Sequence, residues 1–178
     1  MKDLSSDSVL LTRVAAHDRD ALHTLYGRYA ESITAFVKNW LSDPFEASDI
    51  LHETMLEVWR SAEKFQGRSS PKTWIFSIAR NKSIDRNRKA SRSIVQEIDP
   101  NISDDAPDPQ SIAERFQSAD KVRACIEKLS ALHKAVIHLA FYEDLTYPEI
   151  AEIEKRPLGT IKTRMMHAKK LLMRCLGQ

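Results

Sequence analysis

Residues 145–172 read LTYPEIAEIEKRPLGTIKTRMMHAKKLL, and this stretch decides the class of fold. Thr146 offers a capping hydroxyl, and Pro148 falls early in a first turn, where its missing N–H does no harm. Glu149, three residues past the cap, can return a bond to it. A short helix over residues 147–153 is predicted. Lys155-Arg156-Pro157 breaks it, and Ile161, Met165, Ala168 and Leu172 then recur at helical spacing over residues 158–172. The layout is a helix-turn-helix. Its second helix turns Lys162, Thr163, Met166, His167, Lys170 and Arg174 outward. One apolar and one basic face suit the DNA major groove, where Lys and Arg donors meet guanine acceptors and phosphate oxygens. The bland alternative is a basic surface helix that binds nothing.

Working outward, helix is predicted nearly everywhere. Over residues 18–41 Ala21, Leu22, Leu25, Tyr26, Tyr29, Ile33, Phe36, Val37 and Trp40 form one buried stripe. After the Ser42-Asp43-Pro44 break, residues 46–62 repeat the pattern through Ala47, Ile50, Leu51, Met55, Val58 and Trp59. Residues 65–71 gather Gly, Ser and Pro, a loop signal, and a further helix resumes near Pro71 with Trp74, Ile75 and Ile78 inward. Beyond Ala79 that helix is polar around most of its circumference, so it should leave the core for solvent or a partner. Trp74 shares a phase with Ile78, which favours a core position over a base-stacking wedge. Helices over residues 111–129 and 132–141 complete the second half, and no strand-type alternation of useful length appears. The fold expected is all-α.

The net charge of +2 hides a sharp division. Residues 1–59 hold 5 basic and 10 acidic side chains, whereas residues 60–92 hold 10 and 2. Residues 93–154 hold 5 and 13, and residues 155–178 hold 7 and none. Two basic blocks in an acidic chain make local positive fields that attract polyanions although the whole molecule is nearly neutral. Residues 93–110 carry Asp and Pro without periodicity and should be an acidic, flexible linker. Extended, they would reach roughly 60 Å. Residues 97–114 hold six acids and no base. Two small helical domains are therefore expected, residues 1–92 and 111–178, joined by residues 93–110.

Several function classes fall away. No run of 18 or more apolar residues could cross a bilayer, and Met1-Lys2-Asp3-Leu4-Ser5 lacks the apolar segment of an export signal. Cys125 and Cys175 stand fifty residues apart with no CxxC and no His at ligand spacing. Neither a disulfide framework nor a zinc knuckle is suggested, and a cytoplasmic protein is expected. The six His are scattered, and His133 and His138, five apart, share no helical face. No Gly-rich phosphate loop or paired-acid motif appears, so no enzyme, metal or cofactor is expected.

The residues carry a resemblance. Asp49-Ile50-Leu51-His52-Glu53-Thr54-Met55-Leu56-Glu57-Val58-Trp59-Arg60, Phe65, Thr73-Trp74, Ile78-Ala79-Arg80-Asn81 and Asp85 resemble sigma region 2. Leu145-Thr146-Tyr147-Pro148-Glu149-Ile150-Ala151 and Leu158-Gly159-Thr160-Ile161-Lys162-Thr163-Arg164 resemble sigma region 4. A lone helix-turn-helix is weakly specific, but both blocks in this order, joined by a linker, are strongly so. The chain looks like an extracytoplasmic-function (ECF) sigma factor, a group 4 member of the sigma-70 superfamily. That resemblance implies a region 2 helical bundle and a region 4 helix-turn-helix, with core RNA polymerase, promoter DNA and an anti-sigma factor as partners.

It also implies roles for particular residues. Asp49, His52, Glu53 and Glu57 would dock on the polymerase, His52 standing where the family usually has Gln. Arg68, Ser69, Lys72, Arg80, Asn81, Arg86, Asn87 and Arg88 would read the minus-10 element and hold its melted strand. A basic track following the backbone beside a loop pocket for an unstacked base fits that task. Lys162, Thr163, Arg164, Met166, His167 and Lys170 would read the minus-35 element, with Arg164 at the edge, placed for a phosphate. Glu154-Lys155 replaces the Leu-Gly common in the family's turn, and Met166 and His167 stand where some relatives have an aromatic residue and an Arg. The polymerase would supply the chemistry. A stand-alone helix-turn-helix regulator is the alternative.

Overall fold

The computed structural model describes residues 6–41, 43–91 and 117–177. Helix α1 spans Asp7–Ala15, α2 Arg19–Val37, α3 Pro44–Ser61 and α4 Pro71–Ser91, with a 3-10 turn at Ala62–Lys64. Helices α5 (Gln117–Glu127), α6 (Ala131–Phe141), α7 (Tyr147–Glu154) and α8 (Leu158–Leu176) follow. No strand occurs among the described residues. The expected linker at 93–110, and the start expected at 111 for the next helix, lie outside them.

The first lobe is a four-helix bundle in which α1 packs on α2, α2 on α3 and α3 on α4. The stripe read for α2 is its core, with Ala21, Leu25, Tyr29, Ile33, Phe36 and Val37 buried and Leu22, Tyr26 and Trp40 packed at its edge. Asp18 starts α2 by accepting from the amides of Asp20 and Ala21 at 2.9 and 3.1 Å. Ser70 does the same for α4, accepting from the Thr73 amide at 3.1 Å ahead of Pro71 in the first turn. Trp74 is half-buried, its ring 5.2 Å from that of Phe65. Helix α1 is an addition to the sequence expectation. It buries Leu10, Leu11 and Val14, and its Asp7 carboxylate accepts from Arg28 and Tyr29 on α2.

The second lobe is built on α8, against which α5, α6 and α7 all pack. Glu149 accepts from the Thr146 amide at 2.9 Å and from its hydroxyl at 2.7 Å, the return bond expected at the head of α7. Helix α8 runs four residues past the expected Leu172 and stops at Gly177, whose φ of 79° is a left-handed cap. Lys155 likewise adopts φ 50° and ψ 45° as the cap of α7, so the tight turn keeps its shape without the glycine that suits it. A left-handed Lys costs roughly 1 kcal/mol. Lys155→Gly should therefore raise the free energy of unfolding by about that amount, read as a shift in urea midpoint.

One expectation is corrected. Cys125 and Cys175 form a disulfide that ties α5 to the end of α8, with Cα atoms 5.8 Å apart. Their fifty-residue separation conceals the contact because the pairing arises only when α5 folds back on α8.

The two lobes touch. Helix α4 lies along α7, α2 meets α6, and the buried apolar residues of both lobes form one continuous cluster. The Phe36 ring stands 5.8 Å from that of His138 across this boundary.

Candidate nucleic-acid interface

The polar first turns of α4 and its midpoint face the second lobe. Lys72 Nζ donates to the carboxylate of Glu143 at 2.8 Å and to its carbonyl at 2.7 Å. Thr73 Oγ1 donates to Glu149 at 3.3 Å. Arg80 Nε lies 3.5 Å from Glu154 Oε1, and Arg164 Nη1 of α8 lies 3.4 Å from the other oxygen of the same carboxylate. Glu154 is fully buried at the end of α7, in phase with Ile150 and Ile153. Thus Lys72 and Arg80, two of the eight minus-10 candidates, meet carboxylates of the second lobe.

The remaining candidates divide. Arg68, Asn87 and Arg88 are exposed, and Ser69 and Asn81 are half-buried. Arg86 turns back on the first lobe, its guanidinium 2.5 Å from Glu53 and 3.6 Å from Asp49 on α3. Lys82 lies 3.7 Å from Glu57. Two groups that the sequence reading kept apart, the acids of α3 and the bases of α4, are in fact one ladder of ion pairs. Asp49, His52 and Glu53 nevertheless remain exposed, and His52 Nε2 lies 3.1 Å from the Tyr26 hydroxyl. Such part-exposed pairs contribute about 0–1 kcal/mol each, so they orient more than they stabilise.

On α8 the outward face is as expected for Lys162, Thr163, Met166 and Lys170, all exposed, while Ile161, Met165 and Ala168 are buried beneath. Arg164 is held at the boundary by Glu154, and His167 is half-buried with its ring centroid 6.5 Å from that of His133, the two rings edge-on.

The carboxylates of the boundary carry opposite electrostatic signatures. Burial alone would raise Glu143, but hydrogen bonds from His138, Lys72 and Ser32 outweigh it and hold the carboxyl below its ordinary value. Glu149 is likewise lowered, desolvation being overcome by bonds from Thr146, Thr73 and Ser70. For Glu154 burial wins over Arg80, Arg164 and Arg156, and its carboxyl is raised. A lowered acid contributes stability that is present above its unfolded value and lost as pH falls through the folded one; a raised acid does the reverse. The two effects fall on either side of the ordinary Glu value: the urea midpoint should rise as pH falls toward it, where folded Glu154 takes up its proton, and should fall on further acidification, where Glu143 and Glu149 are protonated and lose their stabilising charges.

The acids that cover α4 were missed in the sequence. The one available signal is Glu154 itself, a charge standing on the apolar stripe of a short helix, where a buried partner is required.

Comparison with known proteins matches this geometry. Residues 25–93 match the family model for sigma-70 region 2, and residues 119–172 match that for sigma-70 region 4. The chain is 33% identical over 177 residues to an ECF RNA polymerase sigma factor SigK of Mycobacterium sp. (strain JLS), covering 95% of this chain and 90% of the relative. It is 31% identical to SigK of Mycobacterium tuberculosis (strain ATCC 25618 / H37Rv), covering 97% and 95%. The fold resembles that of CnrH in complex with the cytosolic domain of CnrY, with a TM-score of 0.68 at 18% identity over 97% of this chain and 98% of that one. It also resembles the sigma factor RpoE of Bartonella quintana in complex with the anti-sigma factor NepR, with a TM-score of 0.62 at 25% identity over 83% and 91%. Two helical lobes, a helix-turn-helix in the second, and these matches along nearly the whole length lead to one conclusion: the chain belongs to the ECF sigma factors of the sigma-70 family.

Proposed function

We propose that this sigma factor binds core RNA polymerase through the exposed side of α3, with Asp49, His52, Glu53 and Glu57 as its polar contacts. Arg68, Ser69, Lys72, Arg80, Asn81, Arg86, Asn87 and Arg88 read and hold the minus-10 element. Lys162, Thr163, Arg164, Met166, His167 and Lys170 read the minus-35 element. Residues 1–92 and 111–178 act as the two domains, and residues 93–110 act as the tether that lets them reach separate sites. The observation that carries this reading is the cationic face of α8, where Lys162, Thr163, Met166 and Lys170 stand exposed above a buried apolar stripe. The polymerase performs catalysis, the chain supplies no active site of its own, and it works in the cytoplasm. An anti-sigma factor restrains it, as NepR is found on the RpoE of Bartonella quintana.

Affinity for promoter duplex, measured with and without core polymerase, tests the proposal. The complex should bind tightly and selectively, whereas the free chain should bind at least about a hundredfold more weakly. A free chain that binds its site with full affinity would instead be a stand-alone regulator.

A further inference from the structure

Three observations at the lobe boundary have no place in promoter reading. Glu154 occupies a fully buried position on the apolar stripe of α7, beside Ile150 and Ile153. Its two oxygens engage bases from different lobes, Arg80 at 3.5 Å and Arg164 at 3.4 Å. Neither contact has the 2.7–2.9 Å length of a strong charge-assisted bond, and Arg80 Nε and Glu154 Oε1 are buried without a hydrogen-bond partner.

We propose that Glu154 is an internal clasp, a carboxylate that stands in for a DNA phosphate and holds the free chain shut by joining Arg80 of α4 to Arg164 of α8. The contact is specific but shallow. A buried ion pair of imperfect geometry adds little net stability, yet removing one partner leaves the other charge buried alone and is strongly unfavourable. Such a device keeps a defined closed form while a better partner can still displace it. Lys72 on Glu143, at 2.8 Å, adds a second pairing at the same boundary. Closure itself depends on nothing outside this chain; its consequence for DNA rests on the promoter-reading proposal above.

Small-angle X-ray scattering on the full chain tests closure. The natural chain should be compact, and Glu154→Leu and Arg80→Met should each increase the radius of gyration at unchanged helical dichroism. The double variant should be as expanded as Glu154→Leu and no more, because both substitutions break the same contact. Single variants as compact as the natural chain, or a double variant that is compact again, would overturn the clasp.

Fluorescence anisotropy on a labelled mixed-sequence duplex reads the consequence. If the open form is under about a tenth of natural molecules, Glu154→Leu should bind about tenfold more tightly. Expansion without any gain in DNA affinity would uphold the clasp and count against the promoter reading, so the two failures are distinct.

Discussion

Phe36→Ala is expected to cost about 3–5 kcal/mol of folding free energy. Phe36 is fully buried, and its ring meets Trp40 at 4.8 Å and Phe76 at 5.2 Å, both edge-on, as well as His138 of the other lobe at 5.8 Å. Truncation removes the transfer free energy of the ring and leaves a cavity whose walls come from α2, α4 and α6. Those helices belong to two lobes and cannot all collapse inward together. Chemical denaturation followed by dichroism measures the loss. Phe45→Ala is the control: Phe45 is 80% exposed, and its truncation should change the midpoint by no more than about 0.5 kcal/mol.

Reducing the Cys125–Cys175 bond is expected to cost about 4 kcal/mol, the chain-entropy value for a loop of roughly fifty residues. The loss should be uneven. Among the described residues helix α5 packs against α8 and forms no comparable contact with the first lobe, and the disulfide adds a covalent tie to that packing. Thermal unfolding with and without reductant measures the global change, and amide exchange should show protection lost first in α5. A Cys125→Ala/Cys175→Ala variant should reproduce the reduced protein and should not respond to reductant. Equal stability in both redox states would mean that the packing of α5 on α8 suffices alone.

Much of this was legible in the sequence because local signals and burial agree. The stripe of α2, the capped start of α7 at Thr146 and the inward Ile161, Met165 and Ala168 of α8 are all periodic, and the structure buries them as the period requires. Helix α1 is short, and only its cap at Ser6 and the spacing of Leu10, Leu11 and Val14 announce it. What periodicity could not reveal is pairing between distant segments. Arg86 appears as a free base on a polar helix until α3 brings Glu53 against it, and Lys72 and Arg80 appear open until the α6–α7 connection and α7 are folded over them. The disulfide belongs with these, since its two sulfurs are neighbours only in three dimensions. Lys155 was the exception, a residue whose left-handed strain could be anticipated from the turn around it and which the structure displays at φ 50°.

The central claim is that two cationic surfaces of one chain direct core polymerase to promoters. Run-off transcription on a promoter library, with purified core polymerase in the presence and absence of the chain, tests it most directly. Discrete transcripts should appear only when the chain is present, and Arg88→Glu with Lys162→Glu, both at exposed positions, should abolish them. Transcripts that are the same without the chain, or undiminished by the paired charge reversal, would contradict it.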